Sequence, residues 1–553
     1  MRNSHIASTK DGSSLATSSL LKPAVLTLSL LKSGELRLRI AVVLAIVVIV
    51  AGIGLVDANV SRAPVGPLPG SGGGAASAVV VAGAAQSVEW SCPGGSGSSG
   101  PAPASIVLTS SRPIPMPARV RVVSTAGLER FSSVVVPPYG QVSVDLAGIL
   151  NGPFLGAYVL VNGGGVGVSE VDSGFTGWSA APCASHGADQ WYFADGSTAG
   201  GDRLFLELLD PGTTPAVVNL SFGSAVSGEM VSPAAYQGIV VPPTGLVVEN
   251  LGHHAVSRVP LATVVKATSG VVTAAELQVG STGGSTIPAG GMALTLGSPS
   301  TARRWWFPVN WDQVGSVVAF HVFNPGDTTV KMSAIFTFSG GKVGPLGLIV
   351  KPRSIYTMLA NDIPGLPLST PYELRLKVTH GTGVMADSSL QAPPSASPKP
   401  LFGIVPSFSN GARRWLIPKL PSPATGEVAI GIADLARKPA HVTVKLLTQG
   451  EAAGIVYKAA SSSGAGGTVD GLRHSGRSGR HPSELGAGGG TVVASQVVKG
   501  SMSLVMVAGK TLSSSAGSSV LIVQASRPVA VVVDVEPSGI LGAVTIPALM
   551  MSP

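Results

Sequence analysis

Short runs of alternating apolar and polar residues recur along most of the chain. Residues 119–123 read RVRVV, residues 204–208 read LFLEL and residues 442–446 read VTVKL. A period of two places successive side chains on opposite faces of a strand, and Val, Thr and aromatic residues favour strands. Gly, Pro, Ser or Asn bounds such runs, and long windows with the 3.6-residue period of a helix are missing. The pattern predicts an all-β fold.

One phrase occurs twice in nearly the same form. Residues 302–308 read ARRWWFP, and residues 412–418, about 110 positions later, read ARRWLIP. A weaker copy begins at Trp191, and Trp90 stands about 100 residues before it. Repetition at a fixed period is typical of a fold built from copies of one unit. We therefore expect four units, each of which begins near one of these tryptophans.

Hairpin turns support the same division. Asp210-Pro211-Gly212 and Asn324-Pro325-Gly326 each join two alternating runs. Pro presets φ at the second turn position, and Gly tolerates positive φ. Units of about 110 residues with frequent turns suit immunoglobulin-like β-sandwiches. We expect four tandem sandwiches or, as the alternative, a fusion of the repeats into a propeller-like or larger β assembly. The expected modules are residues 79–182, 183–300, 301–404 and 405–553.

A single uncharged run is apolar enough to cross a membrane. It comprises the 17 residues from Ile40 to Val56, which is close to the length that a spanning helix needs. Basic residues precede the run and Asp57 follows it, so residues 1–39 are predicted to be a cytoplasmic tail and the bulk of the chain extracytoplasmic. Residues 57–78 are rich in Gly, Pro and Ser and are predicted to form a stalk. The alternative is cleavage near Ala58 and secretion.

Composition narrows the function classes. Charged residues make up 12% of the chain and hydrophobic residues 45%, with 72 Gly and 43 Pro. These values exclude coiled coils, helical repeats and ordinary disorder. Half of the net charge of +8 lies in residues 1–39, which leaves no basic surface for a nucleic acid. Residues 461–490 hold a basic cluster that we expect to be a disordered insertion in the fourth module, or alternatively a contact for an anionic envelope polymer.

Two cysteines, Cys92 and Cys183, are present in the whole chain. Because both lie on the predicted extracytoplasmic side, we expect a disulfide, with two separate buried thiols as the alternative. The bridge would join the start of the first module to its end. Closing a loop of about 90 residues stabilises a fold by roughly 4 to 5 kcal/mol in the chain-entropy model.

No sequence motif indicates catalysis, a cofactor or a metal, so we predict none of these and no enzymatic activity. Aromatic side chains at the start of the modules serve either packing or sugar stacking. These are Trp191, Trp305, Trp306 and Trp415. The paired arginines beside them either contact an anion or pack on the neighbouring tryptophan. These are Arg303, Arg304, Arg413 and Arg414.

The whole layout resembles a family of uncharacterised actinobacterial proteins: a basic tail, one membrane segment, Trp-led β repeats, Asn-Pro-Gly turns and Val-Pro-Pro strands. The resemblance covers most of residues 80–550 and implies an envelope protein of unknown activity, without catalytic residues. We therefore expect a membrane-anchored, extracytoplasmic protein of the cell envelope with a structural or binding role. The expected partners are a cell-wall polysaccharide or another envelope protein. The alternatives are a divergent envelope-polysaccharide enzyme and an adhesin.

Overall fold

The computed structural model describes most of the chain from Ser87 to Met551. Gaps fall at residues 175–176, 226–229, 256–259, 282–290, 311–315, 368–369, 393–400, 406, 419–426, 436–438, 449–490, 499–501, 509–518 and 537–543. The predicted tail, span, stalk and basic insertion lie outside the described residues. Within the described part, no helix is both long and apolar enough to cross a membrane. Nearly all regular structure there is strand, which confirms the all-β prediction.

The strands fall into four modules. Module 1 contains β1 (Ser87–Ser96), β2 (Ala104–Ser110), β3 (Met116–Ser124), β4 (Glu129–Val136), β5 (Gln141–Asp145), β6 (Phe154–Asn162), β7 (Val166–Gly174) and β8 (Gly177–Pro182). Module 2 contains β9 (Gln190–Phe193), β10 (Arg203–Leu209), β11 (Ala216–Ser224), β12 (Ile239–Val241), β13 (Leu246–Asn250), β14 (Leu261–Ser269), β15 (Thr273–Val279) and β16 (Met292–Leu296).

The remaining strands form the other two modules. Module 3 contains β17 (Arg304–Asn310), β18 (Val317–Asn324), β19 (Val330–Phe338), β20 (Gly341–Val350), β21 (Ser354–Leu359), β22 (Tyr372–His380), β23 (Met385–Ala392) and β24 (Leu401–Val405). Module 4 contains β25 (Ala412–Ile417), β26 (Glu427–Asp434), β27 (Ala440–Thr448), β28 (Thr491–Val498), β29 (Met502–Ala508), β30 (Ser519–Glu536), β31 (Val544–Pro547) and β32 (Leu549–Met550). Short 3₁₀ helices lie at Ala234–Tyr236, Leu251–His253 and Ala360–Asp362.

All four modules share one topology. In module 1 the first sheet has the order β1-β6-β3-β4 and the second sheet the order β5-β2-β7-β8. Modules 2 and 3 repeat this order strand for strand. Module 4 repeats it with one change, because the long β30 serves as sixth strand beside β25 and β27 and then as seventh strand beside β26 and β31. The modules are therefore copies of one sandwich.

The sandwich is related to the immunoglobulin fold but differs in its outer strands. The second strand pairs with the fifth and the third with the sixth, as in immunoglobulin domains. In an immunoglobulin domain the first strand lies beside the second and the seventh beside the sixth. Here these two strands have exchanged sheets, so the first lies beside the sixth and the seventh beside the second.

The eighth strands join the modules into a closed ring. β8 contacts β16, β16 contacts β24, β24 contacts β31, and β31 contacts β8 again. Packing also crosses the closure, because one apolar cluster combines module 4 with Val107 and Trp178 of module 1 and Val309 of module 3. A bridge between Ser224 and Ser354 further joins the second sheet of module 3 to the first sheet of module 2. The fold is thus both a set of sandwiches and a closed, propeller-like assembly.

Burial patterns show why the ring forms. The first six residues of β11, a third strand, alternate between buried and half-buried positions, as expected for a sheet with one face in water. β15, a seventh strand, is buried at every position, and β10 at all but its first. Such strands need cover on both faces, and the second cover comes from a neighbouring module: β1 packs on β10 and β15, and β17 packs on β26 and β30.

Each of the first three modules ends with a bridge from its first strand to the segment before the next tryptophan. The pairs are Ser91 with Ala184, Tyr192 with Ser298 and Trp306 with Phe408. In module 1 the neighbouring residues Cys92 and Cys183 are joined in a disulfide, as predicted. The equivalent residues of module 2 are Phe193 and Gly297. A Cβ built on Gly297 would lie 2.6 Å from Cζ of Phe193, so the ring fills the space that the disulfide takes in module 1.

Candidate functional site

Three of the predicted aromatic residues lie inside the sandwiches. Trp191, Trp305 and Trp415 are at most 2% exposed. Each indole Nε1–H donates to a backbone carbonyl at the start of the seventh strand. The acceptors are Val272 O at 2.7 Å, Val384 O at 2.9 Å and Val529 O at 3.0 Å. These tryptophans pin the first strand to the opposite sheet, and their faces are covered by protein.

Trp306 has a different environment from its neighbour Trp305. Because successive residues of a strand face opposite ways, Trp306 points to the outer face of β17, and it is half-buried. Its Cα partner on β22 is Arg375. Arg375 binds Glu373 through Nε at 2.5 Å and also donates to Asp434 O at 3.0 Å. Trp306 therefore lies beside the contact between modules 3 and 4.

The outer face of this sheet carries exposed basic side chains. Arg304 and Lys377 are direct cross-strand partners, and both are exposed. Lys331 is exposed on the adjacent strand β19, two residues from Ser333, which is the other cross-strand partner of Lys377. Like charges directly opposite each other destabilise a sheet. We call Arg304, Lys331 and Lys377 the basic face.

Few acidic groups offset the basic face. On the outward positions of β17, β19 and β22, the described carboxyl is Glu373, which is fully buried and bound to Arg375. Ile349, 60% exposed, is the cross-strand partner of Lys331. The face thus combines positive charge, an apolar side chain and, at its edge, the half-buried indole of Trp306. Such a surface can bind a ligand that carries both anionic groups and apolar ring faces.

The other predicted arginines do not join this face. Arg303 is exposed and donates to Gly381 O. Arg413 and Arg414 are exposed on β25 of module 4, where the cross-strand partner of Arg414 is the uncharged Gln524. The two Arg-Arg pairs therefore occupy equivalent places on different modules and do not share a sheet.

A second unusual group lies between modules 1 and 2. Glu170 and Asp172 on β7 and Glu207 on β10 are at most 2% exposed. Burial raises the pKa of Glu170 to about 8. Burial, followed by the nearby carboxyl charges, holds the pKa values of Asp172 and Glu207 well above their ordinary range. We call these three residues the carboxyl cluster.

The next two module contacts also contain buried polar groups, and among these His321 and Glu373 have side-chain partners. Between modules 2 and 3, His321 lies 3.1 Å from Ser389 Oγ and 3.5 Å from Asp195 Oδ2 through Nε2. Between modules 3 and 4, Glu373 pairs with Arg375. His321 occupies the position equivalent to Glu207, three residues before the turn residue of its strand. Equivalent positions of modules 2 and 3 therefore carry side chains of different chemistry.

Neither the basic face nor the carboxyl cluster has the arrangement of a metal centre. Among the residues that the structure describes, no set of three or more His, Cys, Asp or Glu side chains could hold a metal ion. A cavity of about 270 Å³ lies in module 2, and its lining includes His254 and Ser224.

Lys331, Lys377 and the carboxyl cluster were not among the residues singled out from the sequence. Lys377 stands in an ordinary alternating run, and only the register of β22 against β17 brings it opposite Arg304. One feature of the sequence indicates the carboxyl cluster: Glu170 and Glu207 interrupt otherwise apolar runs. Nothing local shows that those positions are covered by another module.

Part of the chain matches a known protein family. Residues 166–303 match a family described as "Family of unknown function (DUF5719)". The match runs from the first residue of β7 through module 2, and it supports the expectation of an uncharacterised family. A solved structure described as "Crystal Structure of Thermotoga maritima 1070" is 19% identical over 20% of this chain and 95% of that chain, with a TM-score of 0.18. That score is too low to support an argument. Comparison with curated proteins gives no match.

Proposed function

We propose that this protein is a non-enzymatic, membrane-anchored component of the cell envelope whose ring of sandwiches binds an anionic polysaccharide through the basic face of module 3. The observation that carries the proposal is the direct opposition of Arg304 and Lys377 on an exposed sheet face. A protein in which 12% of the residues are charged places two of them where they repel each other. Bound anionic groups would remove that repulsion.

A polysaccharide fits the remainder of the surface. Sugar rings present apolar faces that pack against indole and aliphatic side chains, and the surface offers Trp306 and Ile349 beside the cations. The relevant glycan chemistry is a linear chain that carries carboxylate or phosphate groups. This role keeps the predicted polysaccharide partner and moves its binding site from the buried tryptophans to an exposed sheet.

The disulfide supports an extracytoplasmic location, because such bonds persist mainly in oxidising compartments. The apolar run Ile40–Val56 and the basic residues that precede it support an anchored chain with its N-terminus in the cytoplasm. Fractionation of cells, followed by protease treatment of intact spheroplasts, tests this location. Recovery of the intact chain from the soluble cytoplasm would contradict it.

Binding can be measured with the full-length protein in detergent. The probes are polygalacturonate, which carries carboxylates, phosphorylated mannan, which carries phosphates, and neutral dextran of matched length. Arg304→Glu combined with Lys377→Glu should weaken binding of a charged glycan about tenfold, which corresponds to about 1.4 kcal/mol. Binding should also weaken as salt is raised, because exposed charges are screened.

The matched control reverses two exposed arginines elsewhere, Arg130→Glu with Arg527→Glu, and so changes the net charge equally. It should leave binding within about twofold of the wild type. Equal losses in both variants would mean that only net charge matters and would remove the site from module 3. Equal binding of dextran would favour an adhesin that binds neutral sugars. Double-stranded DNA serves as a further probe, and equally tight binding of it would contradict a preference for glycans.

A further inference from the structure

The contact between modules 1 and 2 contains three buried carboxyl groups that have no part in the proposed function. Among the side-chain oxygens of Glu170, Asp172 and Glu207, five are buried without a hydrogen-bond partner. The sixth, Glu170 Oε2, accepts from Gly94 N–H at 3.1 Å. Three ionised carboxylates in such a place would each lack water, and they would repel one another.

The carboxyl groups come from both sides of the module boundary. Glu170 and Asp172 lie two residues apart on β7 and therefore share a face. Glu207 projects from β10 between Phe205 and Leu209, whose side chains pack against module 1. The pKa of Glu207 is raised partly by Glu170 and Asp172, so the three groups interact across the boundary.

Glycines in module 1 make this close approach possible. A Cβ on Gly95 would lie 2.8 Å from both carboxyl oxygens of Asp172. A Cβ on Gly156 would lie 2.8 Å from Pro93 O and 3.2 Å from Cδ2 of Leu209 in module 2. The first sheet of module 1 therefore has no side chain at Gly95 and Gly156, and β10 of module 2 packs directly against this sheet.

No positive group neutralises the cluster within the described residues. None of its three carboxyls forms an ion pair with Lys, Arg or His there. The carboxyls of Glu170 and Asp172 interact with each other, and either one could donate to the other only if it carried a proton. Protons are thus the means by which this group is made compatible with burial.

The other titratable groups at the boundary lie around the cluster. Tyr158 on β6 donates its hydroxyl to Asp210 O at 2.7 Å, while the Asp210 carboxylate accepts from Gly212 N–H and Ala216 N–H. Arg121 lies 6.0 Å from the Tyr158 ring, and Arg203, at the start of β10, lies 5.8 Å from the Phe205 ring. Glu276 on β15 belongs to the opposite face of its sheet, where it interacts with Thr263 and Asp387.

We infer that the contact between modules 1 and 2 is a proton-dependent joint, which Glu170, Asp172 and Glu207 hold closed while they carry protons and open when they ionise. The disulfide joins β1 to the end of module 1, so module 1 stays cross-linked when the boundary loosens. An extracytoplasmic ring of this kind would close in acidic surroundings and loosen in alkaline ones.

The test uses the full-length protein and the variant Glu207→Gln, which keeps the size of the side chain and removes its titration. Unfolding by urea is followed from about pH 5 to about pH 9. A carboxyl with a raised pKa in the folded state keeps its proton there at a pH where the unfolded chain has lost it. Between the pKa of the unfolded state and that of the folded state, each such carboxyl raises the unfolding equilibrium constant up to about tenfold for every unit by which pH rises. The wild type should therefore lose stability as pH rises, and Glu207→Gln should show a shallower loss.

Hydrogen exchange at one alkaline pH locates the effect. Amides of β1 and β10 should exchange about tenfold more slowly in Glu207→Gln than in the wild type, whereas amides of module 3 should not differ. The control is Glu89→Gln, an exposed residue on β1, which should match the wild type in both measurements. Glu170→Gln serves as the second variant if Glu207→Gln does not fold.

Two results would overturn the joint. One is a wild-type stability that stays constant or rises over this pH range, or that falls equally steeply in Glu207→Gln. The other is stabilisation of the wild type by millimolar CaCl₂ or MgCl₂ that is absent from Glu207→Gln, since a cation and not protons would then hold the carboxylates together.

Discussion

Replacement of Phe193 and Gly297 by cysteine should create in module 2 the disulfide that module 1 already has. Both pairs flank the same bridge, Ser91 with Ala184 in module 1 and Tyr192 with Ser298 in module 2. In module 2 the ring of Phe193 lies against Gly297, at a distance of 2.6 Å from the place of a Cβ. In the double variant the two Sγ atoms would occupy the space that the Phe193 ring fills in the wild type.

The expected stability change is the difference of two terms. A loop of about 100 residues stabilises by about 4.7 kcal/mol when it is closed. Loss of a buried phenylalanine side chain costs about 3 to 5 kcal/mol, and Phe193 is 1% exposed. The double variant should therefore unfold within about 2 kcal/mol of the wild type, whereas Phe193→Cys alone should lose most of the 3 to 5 kcal/mol.

Peptide mapping without reductant checks the pairing, and urea unfolding checks the stability. The expected linkage joins positions 193 and 297, with Cys92 still bound to Cys183. Gly297→Cys alone is the second control and should destabilise by overpacking against Phe193. Two free thiols in the folded double variant would refute the claim that modules 1 and 2 share one register at this edge.

The remaining predictions concern the core and its pH response. Trp305→Phe should destabilise the protein by about 1 to 3 kcal/mol in urea unfolding, because it removes the bond from Nε1 to Val384 O and leaves space where the larger indole was packed. Trp306→Phe, on the outer face, should cost less than about 1 kcal/mol. Burial, then the charge of Asp195, raises the pKa of Asp387 to about 7, so its contribution to stability is complete below about pH 4 and is lost as pH rises to about 7. Asp387→Asn, which can still accept from Ala194 N–H, should abolish that part of the pH dependence; an unchanged profile would mean that Asp387 is ionised in the folded protein.

The location of the basic face depended on strand register. The repeated motif at residues 302–308 indicates Arg303 and Arg304 as candidate anion contacts, but it does not distinguish the inward Trp305 from the outward Trp306. Alternation along β17 separates them once its direction is known. Lys331 and Lys377 are distant in sequence from Arg304, and only the pairing of β22 with β17 and β19 brings them to one face.

The sequence alone determined the local structure, because alternation, turn chemistry and repetition are local properties of the chain. It predicted strands, four units and the bond between Cys92 and Cys183. The tertiary structure decided how the units meet, since a strand that is apolar on both faces does not specify which neighbour covers it. Packing of β1 on β10 and β15, and of β17 on β26 and β30, supplies that cover. The same cover buries Glu207 where the carboxyls of Glu170 and Asp172 raise its pKa, an environment that the sequence around Glu207 does not show.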